Sequence, residues 1–333
     1  MIRVRQAGIQ TTVQDLGRMG WQHAGVPVGG AMDAQAHRIA NLLVGNDATA
    51  AAIECALGGV ALQFMVGALV ALAGRDVTAS LDGTPIVPWR PFRVEPGALL
   101  ALHTGGRTTI AIAGGIDVPI VLDARGTSLR AGFGGFHGRA LKRDDAIPLG
   151  HPSPLAESLR QQLVESRRTI ASWGAAPALV PTYGSAPTLR IIPGPELDAL
   201  DDASRALLLE ATFRIAPDSD RMGYRLTGHR LSLSTPREMV SSCVTAGTIQ
   251  LPPGGAPIVL MADRQTTGGY PRLGDVITVD LPLMAQLRPG DGVRFACTTL
   301  DEAQSLYRRL EHDIARAERA IHHRFAAGSN GAN

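Results

Sequence analysis

Thr108-Thr-Ile-Ala-Ile-Ala-Gly-Gly115 decides the fold class of this chain: six residues, four of them β-branched, run straight into a glycine pair. A run that short and that branched reads as a strand closed by a turn. Ala68-Leu-Val-Ala-Leu-Ala73 repeats the pattern, and residues 1–150 read as many short strands punctuated by glycine turns. One helix interrupts them, with Asp33 as its N-cap, Ala36, Ile39, Ala40 and Leu43 on one face, and Gly45-Asn46 as its stop. Residues 154–171 carry Leu155, Leu159 and Leu163 four apart among charged residues, which predicts a second helix. The Pro/Gly/Ala-rich stretch from Trp173 to Pro187 predicts a linker.

The second half restarts with the strand Leu189–Ile192, then a short helix near 196–210, then strands to about Thr298. Thr299-Leu-Asp-Glu302 has capping-box spacing and opens a terminal helix whose apolar face is Ala303, Leu306, Tyr307, Leu310, Ile314, Ala317 and Ile321. The small polar tail from Gly328 reads as disordered. The expectation is therefore a mainly β chain with a few helices: an N-terminal domain over 1–172, a linker over 173–187, a C-terminal domain over 188–299 and a helix over 300–327.

With 333 residues, 45% hydrophobic and 19% charged, the chain has the mass for two cored domains. No apolar run approaches the roughly 18 residues of a membrane span. Met1-Ile-Arg-Val-Arg-Gln6 lacks an apolar signal region, so the protein reads as cytoplasmic. Cys55, Cys243 and Cys297 are odd in number and far apart, which fits neither a disulfide framework nor a metal motif, and no metal is expected. A net charge of +2 and 4% aromatic residues argue against nucleic-acid binding. The basic residues are 31 arginines and one lysine, Lys142. Its setting, Ala-Leu-Lys-Arg-Asp, has neither the glycines of a Walker A loop nor the methionines that flank a biotinylated lysine. Any biotin must arrive on another chain.

Three segments can carry chemistry. Gln14, Asp15 and Arg18 precede the pair Gly29-Gly30, a combination that suits either an anion or carbonyl cradle or a turn braced by an Asp15–Arg18 ion pair. A Gly-rich stretch, Gly132-Phe-Gly-Gly-Phe-His-Gly-Arg139, with Arg125, Arg130 and Arg139 about it, suits a carboxylate or phosphate, or is a surface loop. The third is Gly247-Thr-Ile-Gln-Leu-Pro-Pro253 through Asp263-Arg-Gln-Thr-Thr-Gly-Gly-Tyr-Pro-Arg272. Here an apolar strand, Ile258–Met261, ends in a polar cluster before two glycines, the leading candidate for a site because function sits on loops held by a rigid sheet. Asp263, Gln265 and Thr266 are the expected catalytic residues. Gln14, Asp15, Arg18, Arg125, Arg221, Tyr224, Gln250, Gly268, Gly269, Tyr270 and Arg272 are the expected substrate-binding residues, with Arg221 and Arg272 offering forks to a substrate carboxylate.

These motifs, together with Val28-Gly-Gly-Ala-Met-Asp33, Ala113-Gly-Gly-Ile-Asp117 and Ser219-Asp-Arg-Met-Gly-Tyr-Arg-Leu226, resemble the allophanate hydrolase subunit 2 family, which is also the family of the 5-oxoprolinase C subunit and is called the biotin-dependent carboxyltransferase family. The resemblance runs from Gly8 to about Phe295. It implies two cyclophilin-like β-barrel domains and a role in an ATP-dependent 5-oxoprolinase complex that opens 5-oxo-L-proline to glutamate. The implied partners are an allophanate hydrolase subunit 1 type protein, the 5-oxoprolinase B subunit, and a 5-oxoprolinase A subunit, with ATP bound at the level of the complex. Two rivals follow from the same resemblance: the carboxyltransferase subunit of a biotin-dependent urea carboxylase system, and a regulatory partner of a histidine-kinase inhibitor. The chain departs from the family pattern at Gly126, where many members carry serine, and at Ser242-Cys-Val244.

Overall fold

In the computed structural model, which describes residues 1–104, 106–235 and 239–326, the deciding run lies in the strand Arg107–Ile112. This strand pairs antiparallel with Ala52–Ala56 on one side and Ala68–Gly74 on the other. Every residue of Ala68–Gly74 is buried, as expected of an unalternating apolar run.

The chain divides into two compact units. The first comprises Met1–Gly17, Asp33–Val180 and Glu311–Asn333; the second comprises Arg18–Met32 and Pro181–Leu310. The sequence places residues 18–32 in the N-terminal domain and 300–327 in a helix of its own, whereas here Arg18–Met32 falls in the second unit and the terminal helix is divided after Leu310. Arg18–Met32 belongs with the second unit because Gly29 N–H donates to the Ala262 carbonyl (3.2 Å) and Met32 is buried in that unit's core. The far end of the terminal helix belongs with the first unit, where Arg38 grips Glu311 through two bonds of 2.6 and 2.8 Å and Arg324 lies over the Trp173 ring.

The first unit contains a six-stranded sheet in the order Ala146–Ile147, Ile2–Ala7, Val60–Phe64, Leu99–Thr104, Thr78–Leu81, Thr84–Ile86. Its second sheet has five strands in the order Gln10–Gln14, Ala52–Ala56, Arg107–Ile112, Ala68–Gly74, Pro91–Val94. One core lies between them, with Ile2, Leu62, Phe64 and Leu100 from one sheet meeting Ile53, Leu72, Phe92 and Ile110 from the other. Short edge strands carrying Pro85 and Pro91 leave these sheets open, since proline lacks the N–H that further pairing needs. The second unit does close: seven strands form a barrel in the order Thr188–Pro193, Arg272–Val276, Thr248–Gln250, Ile258–Leu260, Gly223–Thr227, Phe213–Ile215, Gly292–Cys297. Leu189, Ile191, Phe213, Leu226, Ile249, Val259 and Phe295 fill it. The fold is thus mainly β, with one closed barrel and one pair of open sheets.

The helices follow local chemistry. Asp33 caps the helix Ala34–Leu43 by accepting from Ala36 N–H at 2.9 Å, and Ala36, Ile39, Ala40 and Leu43 are buried. The second helix is Pro154–Glu165, shorter than the 154–171 expected from the leucine spacing. Arg167 takes the left-handed conformation (φ 52°) and Arg168 N–H returns to the Leu163 carbonyl, a closure usually made with glycine. Residues 196–210 form two pieces, a 3₁₀ turn Leu197–Ala199 and a helix Asp202–Glu210 that Asp201 caps through Ser204 N–H at 2.6 Å. The terminal helix Leu300–Ala326 starts where Thr299 accepts from Glu302 N–H, while the Glu302 carboxylate turns to the Thr298 hydroxyl at 2.6 Å. The tail from Gly328 lies outside the described residues. Among the described residues no helix is long and apolar enough to cross a membrane.

Candidate functional site

In the barrel unit, the strand Ile258–Leu260 delivers the polar run Asp263 to Tyr270 to a two-stranded ribbon, Ser242–Cys243 paired with Thr267–Gly268. Within it the side chains divide into two groups.

The first group is a buried clamp. Arg221 Nε donates to Asp263 Oδ2 at 2.8 Å, and its Nη2 donates both to Asp263 Oδ1 at 2.9 Å and to the Gly30 carbonyl at 2.6 Å. Only 4% of the Arg221 side chain and 15% of that of Asp263 reach solvent. Gly29 packs beside them. Its φ of +67° suits glycine, and a Cβ there would lie 3.6 Å from both Arg18 Nη1 and Asp263 Oδ1. Arg18 itself is fully buried. Of the two arginines expected to offer forks to a substrate carboxylate, Arg221 has its fork taken by Asp263, and Arg18, expected in an anion cradle or an ion pair with Asp15, is buried. Asp263, expected among the catalytic residues, likewise spends both oxygens on Arg221.

The second group is a set of amides. Gln265 Nε2 donates weakly to Gln250 Oε1 (3.4 Å), and the buried Gln250 Nε2 has no hydrogen-bond partner. Gly268 sits against it so closely that a Cβ would collide with Gln250 Nε2. Thr266 accepts from Val244 N–H through its carbonyl (3.2 Å). Gly269 and the half-exposed Tyr270 line a cavity of about 660 Å³ with Leu231, Met239, Leu251 and Pro271.

Arg272 is held by Glu196, whose carboxylate accepts from its backbone N–H at 2.9 Å and lies 3.8 Å from its Nε. Tyr224 is corrected from ligand to core: it is 3% exposed and its hydroxyl donates inward to the Ala285 carbonyl at 3.2 Å.

The remaining expected residues meet in the first unit, 110 or more positions apart in sequence. Asp15 accepts from Gly17 N–H (2.9 Å) and Arg125 N–H (2.5 Å), so its carboxylate organises two turns. Gln14 Nε2 donates to Thr12 Oγ1 and to the Thr127 carbonyl, while its Oε1 is buried without a partner. The Arg125 guanidinium turns to Asp117 (3.1 Å) and the Val118 carbonyl. In the Gly-rich stretch, Arg139 pairs with both oxygens of Asp145 (2.7 and 2.8 Å), and that hydrogen bonding holds the Asp145 carboxyl below its ordinary range. Neither arginine is aimed at an open cradle.

Sequence reasoning passed over Arg264. Its Nε and Nη1 reach only the carbonyls of Val244 and Met261, each at 3.4 Å, and burial lowers its pKa. The signal available was its place in the polar run beside Gln265. Lys142, the single lysine, is exposed in a turn closed by its own N–H to Asp145. Among the described residues no cluster of His, Cys, Asp or Glu is grouped to hold a metal.

The sequence model of the family described as carboxyltransferase domain, subdomain A and B, matches residues 24–297. The C subunit of the Escherichia coli K12 5-oxoprolinase is 39% identical over 311 residues, 91% of this chain and 93% of that one. A urea amidolyase of Lachancea kluyveri is 31% identical over 91% of this chain, which spans 17% of its length. Among solved structures, the Kluyveromyces lactis urea carboxylase superposes on 96% of this chain with a TM-score of 0.86 and 26% identity, the match covering 29% of that protein. The family match over most of its length, with a relative at 39% identity, places this chain in the carboxyltransferase domain, subdomain A and B, family.

Proposed function

We propose that this chain is the C subunit of a cytoplasmic, ATP-dependent 5-oxoprolinase that hydrolyses 5-oxo-L-proline to L-glutamate. The observation that carries the reading is the 39% identity spanning 93% of the E. coli protein of that name, against the 17% of the urea amidolyase that this chain covers. It works with an allophanate hydrolase subunit 1 type partner and a 5-oxoprolinase A subunit, and ATP is consumed by the complex. Alone it has little or no activity. Its single lysine, Lys142, lies in no Walker A loop, so the chain supplies no standard phosphate cradle of that kind.

The chemistry asked of the site is electrostatic. Opening an activated lactam builds negative charge on an amide oxygen, and donors fixed before reaction stabilise that charge. The Gln250–Gln265 amide pair under Gly268 is a store of such donors, and the Arg221–Asp263 clamp holds the strand end that presents them.

The second reading, a carboxyltransferase acting on carboxybiotin carried by another chain, has the urea amidolyase and urea carboxylase relatives in its favour. It makes a similar demand, since moving a carboxyl group to urea also charges an amide-like oxygen. Substrate choice separates the two. The assembled complex is expected to release glutamate from 5-oxoproline and ATP, and to leave urea untouched with bicarbonate, ATP and a biotinylated carrier. Carboxylation of urea without 5-oxoproline turnover would reverse the choice.

A further inference from the structure

Arg264 follows Asp263 in sequence but shares none of its pairing. Both of its hydrogen bonds, to Val244 and Met261 carbonyls, are 3.4 Å long, beyond the usual N–H···O range. Among the described residues no carboxylate pairs with it. Arg139 and Arg190 show what a completed arginine looks like in this protein: Asp145 and Asp280 fill their forks at 2.6–2.9 Å and raise their pKa. For Arg264 the shift is the reverse, downward, from burial with no acidic neighbour to oppose it. A half-buried guanidinium left with spare donors is costly, and a planar carboxylate is the group its fork matches.

A second unsatisfied group lies in the same cluster. Gln265, the next residue, reaches Gln250 Oε1, and the Gln250 amide nitrogen, 2% exposed as a residue, has no partner. The cation Arg264 is thus followed directly by Gln265, whose amide reaches the residue that carries the unfilled donor. A cyclic amide acid carries the complementary pair, a carboxylate and a ring carbonyl.

We propose that Arg264 binds the carboxylate of the substrate, with Gln265 and Gln250 beside it on the amide side. This deepens the 5-oxoprolinase reading and rests on it for the identity of the ligand. It also shifts the carboxylate-binding role expected of Arg221 and Arg272 to a neighbour that only two long carbonyl bonds engage.

The test uses the enzyme assembled with its partner subunits, with wild-type chain, Arg264→Gln and Arg264→Lys. For Arg264→Gln the KM for 5-oxo-L-proline should rise by about 30-fold or more, with kcat held within about threefold, as for loss of one partner of a desolvated ion pair. Arg264→Lys should recover part of the loss. A folded Arg264→Gln enzyme with KM within about threefold of wild type overturns the proposal.

If the wild-type assembly makes no glutamate, the functional reading fails, and the site is then judged on the isolated wild-type chain. The NMR signal of Arg264 Nε–H, identified by its absence in Arg264→Lys, is followed during titration with sodium acetate and, at matched ionic strength, sodium chloride. A saturable shift with acetate alone keeps the carboxylate site standing. No acetate-specific shift overturns it.

Discussion

Arg221 and Asp263, 42 positions apart, meet in a two-point pair at 2.8 and 2.9 Å, and the same guanidinium reaches the Gly30 carbonyl at 2.6 Å. One arginine therefore ties the end of a barrel strand to the segment Arg18–Met32, which enters this unit from a distant part of the sequence. The pair is nearly dry, so removing either partner strands the other.

Asp263→Asn keeps the volume and one acceptor oxygen but turns an amide N–H toward the guanidinium. It should lower stability by about 2 to 4 kcal/mol. Turnover per folded molecule, measured with the partner subunits below the melting transition, should stay within about threefold of wild type. Thermal melting and turnover of one preparation decide the matter. An unchanged melting temperature with activity lost would mean that Asp263 acts on the substrate directly.

Gly268→Ala should destabilise by about 1 to 3 kcal/mol, because the added methyl has nowhere to go but into the Gln250 amide. Gly254 is the control: open space surrounds its Cβ position, and alanine there should be neutral or stabilise by up to about 1 kcal/mol. Urea midpoints of the two variants should move in opposite directions or differ clearly. Equal midpoints would show that Gly268 is not packed against Gln250.

His37 predicts a pH dependence. Burial holds its imidazole below the ordinary histidine value of 6.5, and the carboxylates of Glu54 and Asp15 oppose that only in part. Below about pH 6.5 the unfolded chain therefore takes up a proton that the folded chain refuses, so this part of the stability is complete above that pH and is lost as pH falls. Urea midpoints between about pH 8 and about pH 5 should fall less steeply for His37→Gln than for wild type. Parallel slopes would show that His37 protonates as easily folded as unfolded.

Local chemistry was readable and distant pairing was not. Asp33 as an N-cap, the buried face of Ile39 and Leu43, and the strand at Thr108 each rest on neighbours within a few positions, and each could be read from the string. The helix stop at Glu165 could not, because the left-handed residue that ends it is Arg167, with no glycine to mark it. The polar run after Met261 was legible as a candidate site. Its division of labour was not, since the partner of Asp263 is Arg221 and not the adjacent Arg264. The meaning of Arg264 rests on which carbonyls it reaches and at what length, and only the folded arrangement reveals that. Tyr224 sits in a motif beside Arg221, but strand pairing with Val259 turns its ring into the barrel.

The central claim, that this chain is a necessary subunit of a 5-oxoprolinase, is tested most directly by a drop-out assay. The A-type and allophanate hydrolase subunit 1 type partners are mixed with ATP and 5-oxo-L-proline, with and without this chain, and glutamate is measured. The account predicts ATP-dependent glutamate only when all components are present. The same glutamate rate without this chain, or a full rate from this chain alone, would contradict it.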